Sequence, residues 1–399
     1  MPSTGDKLSI LGFGCMRLPT RGVGIDEKRA MKQVRGAIDL GVNYIDTAWP
    51  YHGGKSETFL GKALADGYRD KIFLADKLPP WMVKKRGDMD RILDEQLKKM
   101  RTDHIDYYLA HALNAAVWER MKGLGIIEFL EHAKVQGKIR HIGYSFHGSN
   151  EDFMQIVDDY AWEFCQIQYN ILDENNQAGR AGLEHAAQKG MGVIIMEPLR
   201  GGSLTLKLPK QVERVYDTAP VKRSPAEWGL RWVWNHPQVT VVLSGMNDEK
   251  HIDENLRIAG QAEPDSLTRK ELAVIEKAVA QYRSLCRVGC TGCQYCMPCP
   301  SGVNIPMAFD FYNQYHMGNG KFSSRFLYWG QLGGVAGGNA ALASQCVNCG
   351  KCAKHCPQKI DIPGEMKNVE KTFEGKHLGP MQKKLLGFVL GLMTPKSRD

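Results

Sequence analysis

Short apolar runs alternate with longer amphipathic segments over most of the first 260 residues. The amphipathic segments, such as 26–40, 88–100, 119–135 and 225–235, carry apolar residues at helical spacing. The apolar runs are rich in β-branched residues and lie at 10–13, 43–45, 72–75, 107–110, 142–144, 164–167, 193–196 and 239–243. Apolar strands covered by helices are typical of a buried parallel sheet. Eight such units in roughly 250 residues predict a (β/α)8 TIM barrel.

A doubly wound open sheet has the same alternation and is the competing fold. Its dinucleotide-binding fingerprint needs three glycines after the first strand. Here Gly12 and Gly14 supply two, and Arg17 stands in the third place. The barrel is therefore favoured, and functional side chains are expected at the C-terminal ends of its strands.

Four polar residues lie at or just after consecutive predicted strand ends. Asp46 ends the second strand, Tyr51 lies in the following loop, Lys77 ends the third strand and His111 ends the fourth. A tyrosine with a pKa of about 10 becomes a better acid beside an ammonium group. Each residue alone has an ordinary explanation, as a solvated lysine, a helix cap or a hydrogen-bonded histidine. Their joint placement favours a group that protonates an alkoxide.

The surrounding motifs resemble those of the aldo-keto reductases over nearly the whole first 260 residues. They are Tyr44-Ile45-Asp46-Thr47-Ala48-Trp49-Pro50-Tyr51, Ser56-Glu57, Asp76-Lys77-Leu78-Pro79 and Leu109-Ala110-His111. By this resemblance Tyr51 is the general acid, Lys77 and Asp46 tune its pKa, and His111 positions the carbonyl.

The resemblance also implies a nicotinamide cofactor that lies extended across the barrel mouth. The matching positions are Gly14, Cys15, Met16, Ser145, Gln166, Met196, Pro198, Leu199, Arg200, Gly201, Gly202, Ser244, Gly245, Asn247, His251, Glu254 and Asn255. In the loop around Arg200 the glycines expose backbone N–H groups and the arginine adds a charge, which suits pyrophosphate. A plain turn is the alternative for that loop.

Three positions depart from the family pattern. Met196 stands where many members have an aromatic residue that stacks on the nicotinamide, and Phe146 stands where an asparagine is usual. His251 replaces the basic residue that often binds the 2'-phosphate. NADH, NADPH and FMN therefore all remain candidate cofactors, and Met196 has rim packing as an alternative role.

The eleven cysteines are distributed very unevenly. Only Cys15 and Cys165 precede residue 286, and Cys286 falls outside the two quartets that follow. In both quartets the first three cysteines are separated by two-residue gaps and the fourth is followed by proline. The last gap has two residues in the first quartet and three in the second, which gives the second the bacterial ferredoxin spacing. The quartets are Cys290, Cys293, Cys296 and Cys299, then Cys346, Cys349, Cys352 and Cys356.

This pattern predicts two [4Fe-4S] clusters with crossed ligation, in which the last cysteine of each quartet binds the other cluster. Cys299 would then join Cys346, Cys349 and Cys352, while Cys356 would join the first three cysteines of the first quartet. Zinc is the alternative, but its four-cysteine sites normally come as two separated pairs. The combination resembles the iron-sulfur branch of the aldo-keto reductases, found mainly in anaerobes.

The predicted organisation has three parts. A barrel covers 1–283, a small ferredoxin-like α+β domain with two clusters covers 284–372, and a basic amphipathic tail covers 373–399. The apolar stretch of the tail, the nine residues 385–393, is too short to span a bilayer. The tail is expected to pack on the protein, with a membrane-surface or partner contact as the alternative.

Composition excludes several other classes of protein. Hydrophobic residues make up 43% and charged residues 24%, as in soluble globular proteins. The net charge of +8 comes from scattered residues, and no nucleic-acid-binding motif is present. The N-terminus has no signal-peptide pattern, and no apolar run reaches the length of a transmembrane segment. We therefore expect a cytoplasmic protein that does not bind nucleic acid.

The expected function is an oxidoreductase that acts on a small carbonyl or alcohol substrate and exchanges electrons through its clusters with a carrier such as ferredoxin. Nicotinamide moves two electrons and a cluster moves one, so a flavin would reconcile the two. The alternatives are an ordinary NAD(P)H-dependent carbonyl reductase with structural or sensing clusters, an electron-transfer subunit with a vestigial barrel, and a non-catalytic regulatory subunit. The complete set of Asp46, Tyr51, Lys77 and His111 argues against the last two.

Overall fold

The computed structural model describes residues 1–22, 24–206, 208–290, 296–317, 321–333, 340–356 and 358–375. These residues form two compact units. The first contains 1–204 and 223–272, and the second contains 205–222 together with the described residues from 273 onward. The predicted tail lies almost entirely outside the described residues, as does Cys293.

The first unit is a closed barrel of eight parallel strands. Each strand pairs with its neighbours in sequence order, and the eighth pairs with the first. The strands are β1 Leu11–Gly14, β2 Tyr44–Asp46, β3 Phe73–Leu78, β4 Ile105–Leu113, β5 Ile139–Phe146, β6 Phe164–Gln168, β7 Gly192–Met196 and β8 Val239–Ser244. Every predicted apolar run overlaps one of them. The predicted (β/α)8 fold is therefore confirmed, and a short hairpin pairs 20–21 with 24–25.

Helices follow the strands and cover the outside of the barrel. The helices of the described chain are α1 Glu27–Asp39, α2 Ser56–Ala63, α3 Arg86–Met100, α4 Ala115–Gly123, α5 Ile126–Val135, α6 Asn150–Asp159, α7 Gly179–Gln188, α8 Lys210–Asp217, α9 Pro225–Trp234, α10 Glu249–Ala259, α11 Arg269–Leu285, α12 Ile305–His316, α13 Lys321–Leu332, α14 Lys351–Lys354 and α15 Ile362–Phe373. None of them is both long and apolar enough to cross a membrane.

One predicted helix is broken in two. The segment 119–135 divides between α4 and α5, because Gly125 adopts a left-handed conformation with φ of +79° and begins α5. A left-handed residue cannot continue a right-handed helix, and glycine adopts this conformation without steric cost.

Apolar side chains fill the barrel interior. They include Tyr107 and Phe164, whose rings meet edge to face at 5.1 Å. Gly143 makes this packing possible, since a Cβ there would lie 2.5 Å from the Phe164 ring.

The second unit has its own apolar core. Helices α12, α13 and α15 contribute to it, and Phe309, Tyr328 and Phe373 are fully buried there. The sequence predicts an α+β domain over 284–372. The described part of this range contains helices and turns and no strand.

Candidate active site

The structure brings Asp46 and Lys77 together at the ends of neighbouring strands. Strands β2 and β3 pair in parallel with Asp46 beside Ala75, which places Lys77 one pleat further along. The Lys77 Nζ donates hydrogen bonds to Asp46 Oδ2 at 2.6 Å and to the Thr47 carbonyl at 2.7 Å. Both side chains are buried. Burial lowers the pKa of Lys77, but Asp46 and Tyr51 raise it by more, so the ammonium form is retained.

Tyr51 begins a short 3-10 turn just after β2, and its ring lies beside Lys77. The Lys77 Nζ is 5.3 Å from the centroid of the Tyr51 ring. Burial nevertheless raises the pKa of Tyr51 by more than Lys77 lowers it. The expectation of a net lowered pKa is therefore wrong for this structure. Lys77 counteracts a burial effect that the sequence did not reveal.

His111 faces the same group of side chains. Its ring centroid lies 6.4 Å from that of Tyr51. Burial, aided by Lys77 and His147, lowers the pKa of His111 to about 3, so the imidazole is neutral at physiological pH. Its buried Nδ1 has no hydrogen-bond partner among the described residues.

Sequence reasoning missed Trp81, which packs against His111. Their ring centroids are 5.2 Å apart, and 55% of the Trp81 surface is exposed. The signal was available, because Trp81 follows the Lys77 motif in the loop after the third strand. An exposed indole beside this imidazole could provide an apolar wall for a ligand.

Several residues at this end of the barrel have backbone conformations that side chains normally avoid. His52, Ala112, Glu197 and Arg200 have φ between +48° and +55°. Each lies in the segment that follows a barrel strand or, for Ala112, in the irregular end of β4. Such conformations persist where surrounding contacts enforce them, often at functional sites.

A buried polar network binds the backbone of Lys77. Asp76 Oδ1 accepts the Lys77 backbone N–H at 2.8 Å, and Gln96 donates to the Lys77 carbonyl at 2.9 Å. The Gln96 amide also donates to Asp76 and to Glu57, and Lys99 pairs with Glu57 at 2.9 Å. Burial and the adjacent Glu57 raise the pKa of Asp76 well above its usual range. The position of Lys77 is thus fixed by its main chain as well as by Asp46.

Three predicted cofactor-binding side chains come from β5, β6 and α10. Ser145 Oγ accepts the Ala112 N–H at 2.8 Å, and Asn255 donates to Ser244 Oγ at 3.0 Å. Gln166 is buried, and its Oε1 has no hydrogen-bond partner among the described residues. A buried acceptor without a donor is costly and fits a site that a ligand N–H completes.

The loop after β7 has the conformation expected of a close backbone approach. Gly201 and Gly202, with φ of +66° and +96°, lie in a 3-10 turn that begins at Arg200. The Arg200 Nε pairs with Asp173 Oδ2 at 3.2 Å. The charge that the sequence assigned to pyrophosphate is therefore already neutralised by a carboxylate.

The other predicted cofactor positions differ in accessibility. Cys15 and Pro198 are buried, Gly14, Met196, Leu199, Gly202, Gly245 and Glu254 are half-buried, and Met16, Asn247 and His251 are exposed. Burial raises the pKa of the Cys15 thiol far above its usual range, so this cysteine is inert.

A separate cavity in the second unit is lined by four cysteines. Cys299 comes from the first quartet, whereas the other three come from the second. The cysteines are Cys299, Cys346, Cys349 and Cys352, and the apolar lining includes Val303, Ile305 and Met366. Four thiols against an apolar wall are the donor set of a [4Fe-4S] cluster, and this is the set that crossed ligation assigns to one cluster.

The backbone of the second quartet is shaped to wrap around this cavity. Asn348 and Gly350 have φ of +56° and +68° and separate its cysteines. No three His, Cys, Asp or Glu side chains of the described residues lie close enough together to share one metal ion. Cys290, Cys296 and Cys356 pack against the core of the second unit, and Cys293 lies outside the described residues.

Comparison with known proteins agrees with the barrel fold. The sequence profile of the Aldo/keto reductase family matches residues 10–279, more than half of the chain. The chain belongs to this family. A second profile, the 4Fe-4S dicluster domain, matches residues 289–360 of this aldo/keto reductase.

The matched relatives correspond to the barrel part of this aldo/keto reductase. Methylglyoxal reductase YeaE of Escherichia coli is 26% identical over 286 residues, covering 66% of this chain and 92% of the relative. L-glyceraldehyde 3-phosphate reductase of E. coli is 24% identical over 328 residues, covering 67% and 91%. The holo form of aldo-keto reductase AKR11C1 from Bacillus halodurans is 26% identical, covers 70% of this chain and 95% of that one, and superposes with a TM-score of 0.58.

Proposed function

We propose that the barrel reduces a small carbonyl compound, or oxidises the corresponding alcohol, with NAD(P)H as the proposed cofactor. The observation that carries this proposal is the buried Asp46–Lys77 ion pair beside Tyr51. A bound nicotinamide would supply hydride to the carbonyl carbon, and the residues of the chain would handle the proton.

Tyr51 is the proposed proton donor. Because its pKa is raised, the phenol is protonated at neutral pH and has a proton to give. Donation creates a phenolate, which the adjacent Lys77 ammonium stabilises. Asp46 and the Thr47 carbonyl keep the ammonium in place. General acids of this kind contribute roughly 10²–10⁴-fold to the rate.

His111 is the proposed orienting residue for the carbonyl oxygen. A neutral imidazole can donate one hydrogen bond without carrying a charge that would compete with Lys77. Trp81 would cover one side of the bound substrate. The matched methylglyoxal reductase supports a small aldehyde as the first substrate to test.

Gln166, Ser145 and Asn255 are the proposed residues that hold the cofactor. The unpaired Oε1 of Gln166 suits an amide donor such as a carboxamide N–H. FMN is the alternative cofactor, because Met196 stands where an aromatic residue commonly stacks on nicotinamide.

The two quartets are the proposed ligands of two [4Fe-4S] clusters, which would transfer single electrons when bound. The cavity around Cys299 and the second quartet supports crossed ligation. An external one-electron carrier such as ferredoxin is the proposed partner. Reduced thiolate ligands fit a cytoplasmic setting.

A carbonyl reductase whose clusters are only structural or sensing is the second candidate. This candidate is favoured because the methylglyoxal reductase aligns over 92% of its own length with only 66% of this chain, so nearly all of that enzyme corresponds to a part of this one. Under this candidate, turnover with NADPH would be the same before and after cluster oxidation.

Tyr51→Phe tests the proposed acid in protein purified anaerobically with its clusters. Methylglyoxal turnover with NADPH should fall about 10²–10⁴-fold, while NADPH affinity stays unchanged. Tyr68→Phe is the matched control, because this tyrosine hydrogen-bonds Asp39 on the outside of the barrel. Equal activity of the two variants would refute the proposed acid.

The same preparation should contain about eight irons per chain. Fewer than about four would exclude two clusters. Stoichiometric FMN would replace the nicotinamide proposal with the flavin alternative.

A further inference from the structure

Two carboxyl groups lie buried between β3 and the helices that cover it. Asp76 of β3 and Glu57 of α2 are both inaccessible to solvent. Successive residues of a strand point to opposite faces, so Asp76 faces the helix layer, whereas Lys77, the next residue, reaches Asp46 at the barrel mouth. The proposed proton transfer from the active-site tyrosine uses neither buried carboxyl.

The side-chain amide of Gln96 on α3 joins these two carboxyl groups. Its Nε2 lies 2.8 Å from Asp76 Oδ2, 3.1 Å from Glu57 Oε1 and 2.9 Å from the Lys77 carbonyl oxygen. The Tyr108 hydroxyl donates to Gln96 Oε1 at 2.7 Å, which fixes the orientation of the amide. An amide nitrogen carries two hydrogens, so three oxygen atoms compete for two donors. The network is complete only with one further hydrogen.

The charges around the pair also favour an added proton. Lys99 of α3 pairs with Glu57 Oε2 at 2.9 Å and with Glu95 at 3.5 Å. Asp76 forms no ion pair with any lysine or arginine of the described residues, since the Lys77 ammonium is held on the other face of the strand. Two adjacent carboxylates that share one counter-ion favour protonation of one of them. In agreement, burial and the charge of Glu57 raise the pKa of Asp76 well above its usual range.

The charge on Asp76 matters to the active site on the opposite face of the strand. Burial already raises the pKa of Tyr51, and an ionised Asp76 would raise it further. A protonated Asp76 adds no negative charge, yet its Oδ1 still accepts the Lys77 backbone N–H at 2.8 Å. The main chain of Lys77 is then anchored without a cost to the phenolate that its ammonium stabilises.

We propose that one proton resides on the Asp76–Glu57 pair and makes Asp76 a neutral positioning residue for Lys77. The hydroxyl group of the protonated carboxyl supplies the hydrogen that the Gln96 amide lacks. The role for Lys77 rests on the proposed function and deepens it, whereas the proton itself does not depend on any substrate or cofactor.

Infrared difference spectroscopy of the anaerobically purified full chain at neutral pH tests for the proton, because carboxylic acids and carboxylates have separate C=O bands. Asp76→Asn and Glu57→Gln should each change the spectrum by the loss of a carboxylic acid band. Asp106→Asn is the matched control, since Asp106 is equally buried but is held as a carboxylate by Arg69 and Arg140 at 2.8 Å each. It should change only carboxylate bands. Carboxylic acid bands that either Asp76→Asn or Glu57→Gln leaves unchanged would overturn the proposal.

Steady-state kinetics with methylglyoxal and NADPH test the role for Lys77. Glu57→Gln removes the like charge and lets Asp76 ionise, so kcat should fall about tenfold, the equivalent of one pKa unit on Tyr51, without a change in KM. The double variant Asp76→Asn/Glu57→Gln makes the pair neutral again and should recover most of the lost kcat. Loss of a purely structural contact would not be repaired by a second substitution. A double variant no more active than Glu57→Gln would overturn the positioning role.

The two experiments separate this inference from the proposed function. If the unaltered chain does not turn over methylglyoxal with NADPH, the proposed function fails for this substrate, and the infrared comparison still decides whether the pair holds a proton. If the chain is active and the infrared spectra show no acid band that depends on the pair, the inference fails and the proposed function stands.

Discussion

Replacement of Lys77 by methionine separates the stability of the buried ion pair from its catalytic role. Methionine keeps the length of the side chain but removes the ammonium that contacts Asp46 and Thr47. The side chains of Lys77 and Asp46 are only 1% and 3% exposed, so water cannot replace the lost partner. The Asp46 carboxylate would remain buried without its counter-ion.

The expected loss of stability follows from that burial. Breaking a buried pair by removing one partner costs about 3–5 kcal/mol, much of it from the charge left behind. The double variant Asp46→Asn/Lys77→Met removes both charges and should recover most of this loss. Catalysis should not recover, because the Tyr51 phenolate still lacks its ammonium, and kcat should stay roughly 10²–10⁴-fold low in both variants.

Urea unfolding and steady-state kinetics measure the two effects on the same preparations. Lys62→Met is the control, since Lys62 pairs with Glu27 at the surface and its loss should cost at most about 1 kcal/mol. If Lys77→Met were as stable as Lys62→Met, the pair would not be buried as described. If the double variant regained activity, Lys77 would not act through Tyr51.

Three further predictions concern other parts of the molecule. The pKa of His111 is about 3 in the folded chain and about 6.5 when unfolded, so the stability that the neutral imidazole contributes is fully present above pH 6.5 and is lost as the pH falls toward 3. In urea unfolding, His111→Asn should therefore lose less stability between pH 7 and pH 5 than the unaltered chain. An identical pH dependence of the two proteins would contradict the buried neutral imidazole. Cys299→Ser should deplete the iron associated with the second quartet, as measured by iron analysis and electron paramagnetic resonance. Cys165→Ser, in the barrel, is the control and should keep the full iron content. Retention of all iron by Cys299→Ser would argue against crossed ligation. Gly125→Ala should cost about 1–2 kcal/mol in urea unfolding, because φ is +79° there and a Cβ would lie 3.3 Å from Arg86; an unchanged midpoint would refute a left-handed Gly125.

The strand positions and the catalytic group were predictable because both follow from a short repeat. A buried parallel strand is an apolar run, and its end is marked by the polar residues that follow that run. Asp46 and Lys77 therefore stood out in the sequence, and the structure pairs them. Their neighbourhood in space also followed, since consecutive strands of a barrel lie side by side.

The sign of the Tyr51 pKa shift was not predictable in the same way. The sequence shows that an ammonium group is near, which lowers the pKa, but it does not show how deeply the phenol is buried. Burial depends on how the turn after Tyr51 folds, and there His52 Nε2 accepts the Leu18 N–H at 3.1 Å from the segment after β1. Long-range contacts of this kind leave no local pattern.

The role of the Arg200 charge was not predictable for the same physical reason, because the ion pair that holds it joins two different loops. Arg200 lies among glycines and was assigned to pyrophosphate, but Asp173 from the loop after β6 neutralises it. A charge is fully available to a ligand only when no carboxylate of the chain already holds it.

The buried groups at the barrel mouth bear on the proposed cofactors. Lys77 is paired with Asp46, and Arg200 is paired with Asp173. An unpaired buried acceptor remains at Gln166 among the described residues. An amide-type N–H of a ligand would satisfy this acceptor. The carboxamide of a nicotinamide and the ring imide of FMN both provide such a donor, whereas a small aldehyde has none. The unpaired Gln166 therefore supports a bound cofactor of either kind.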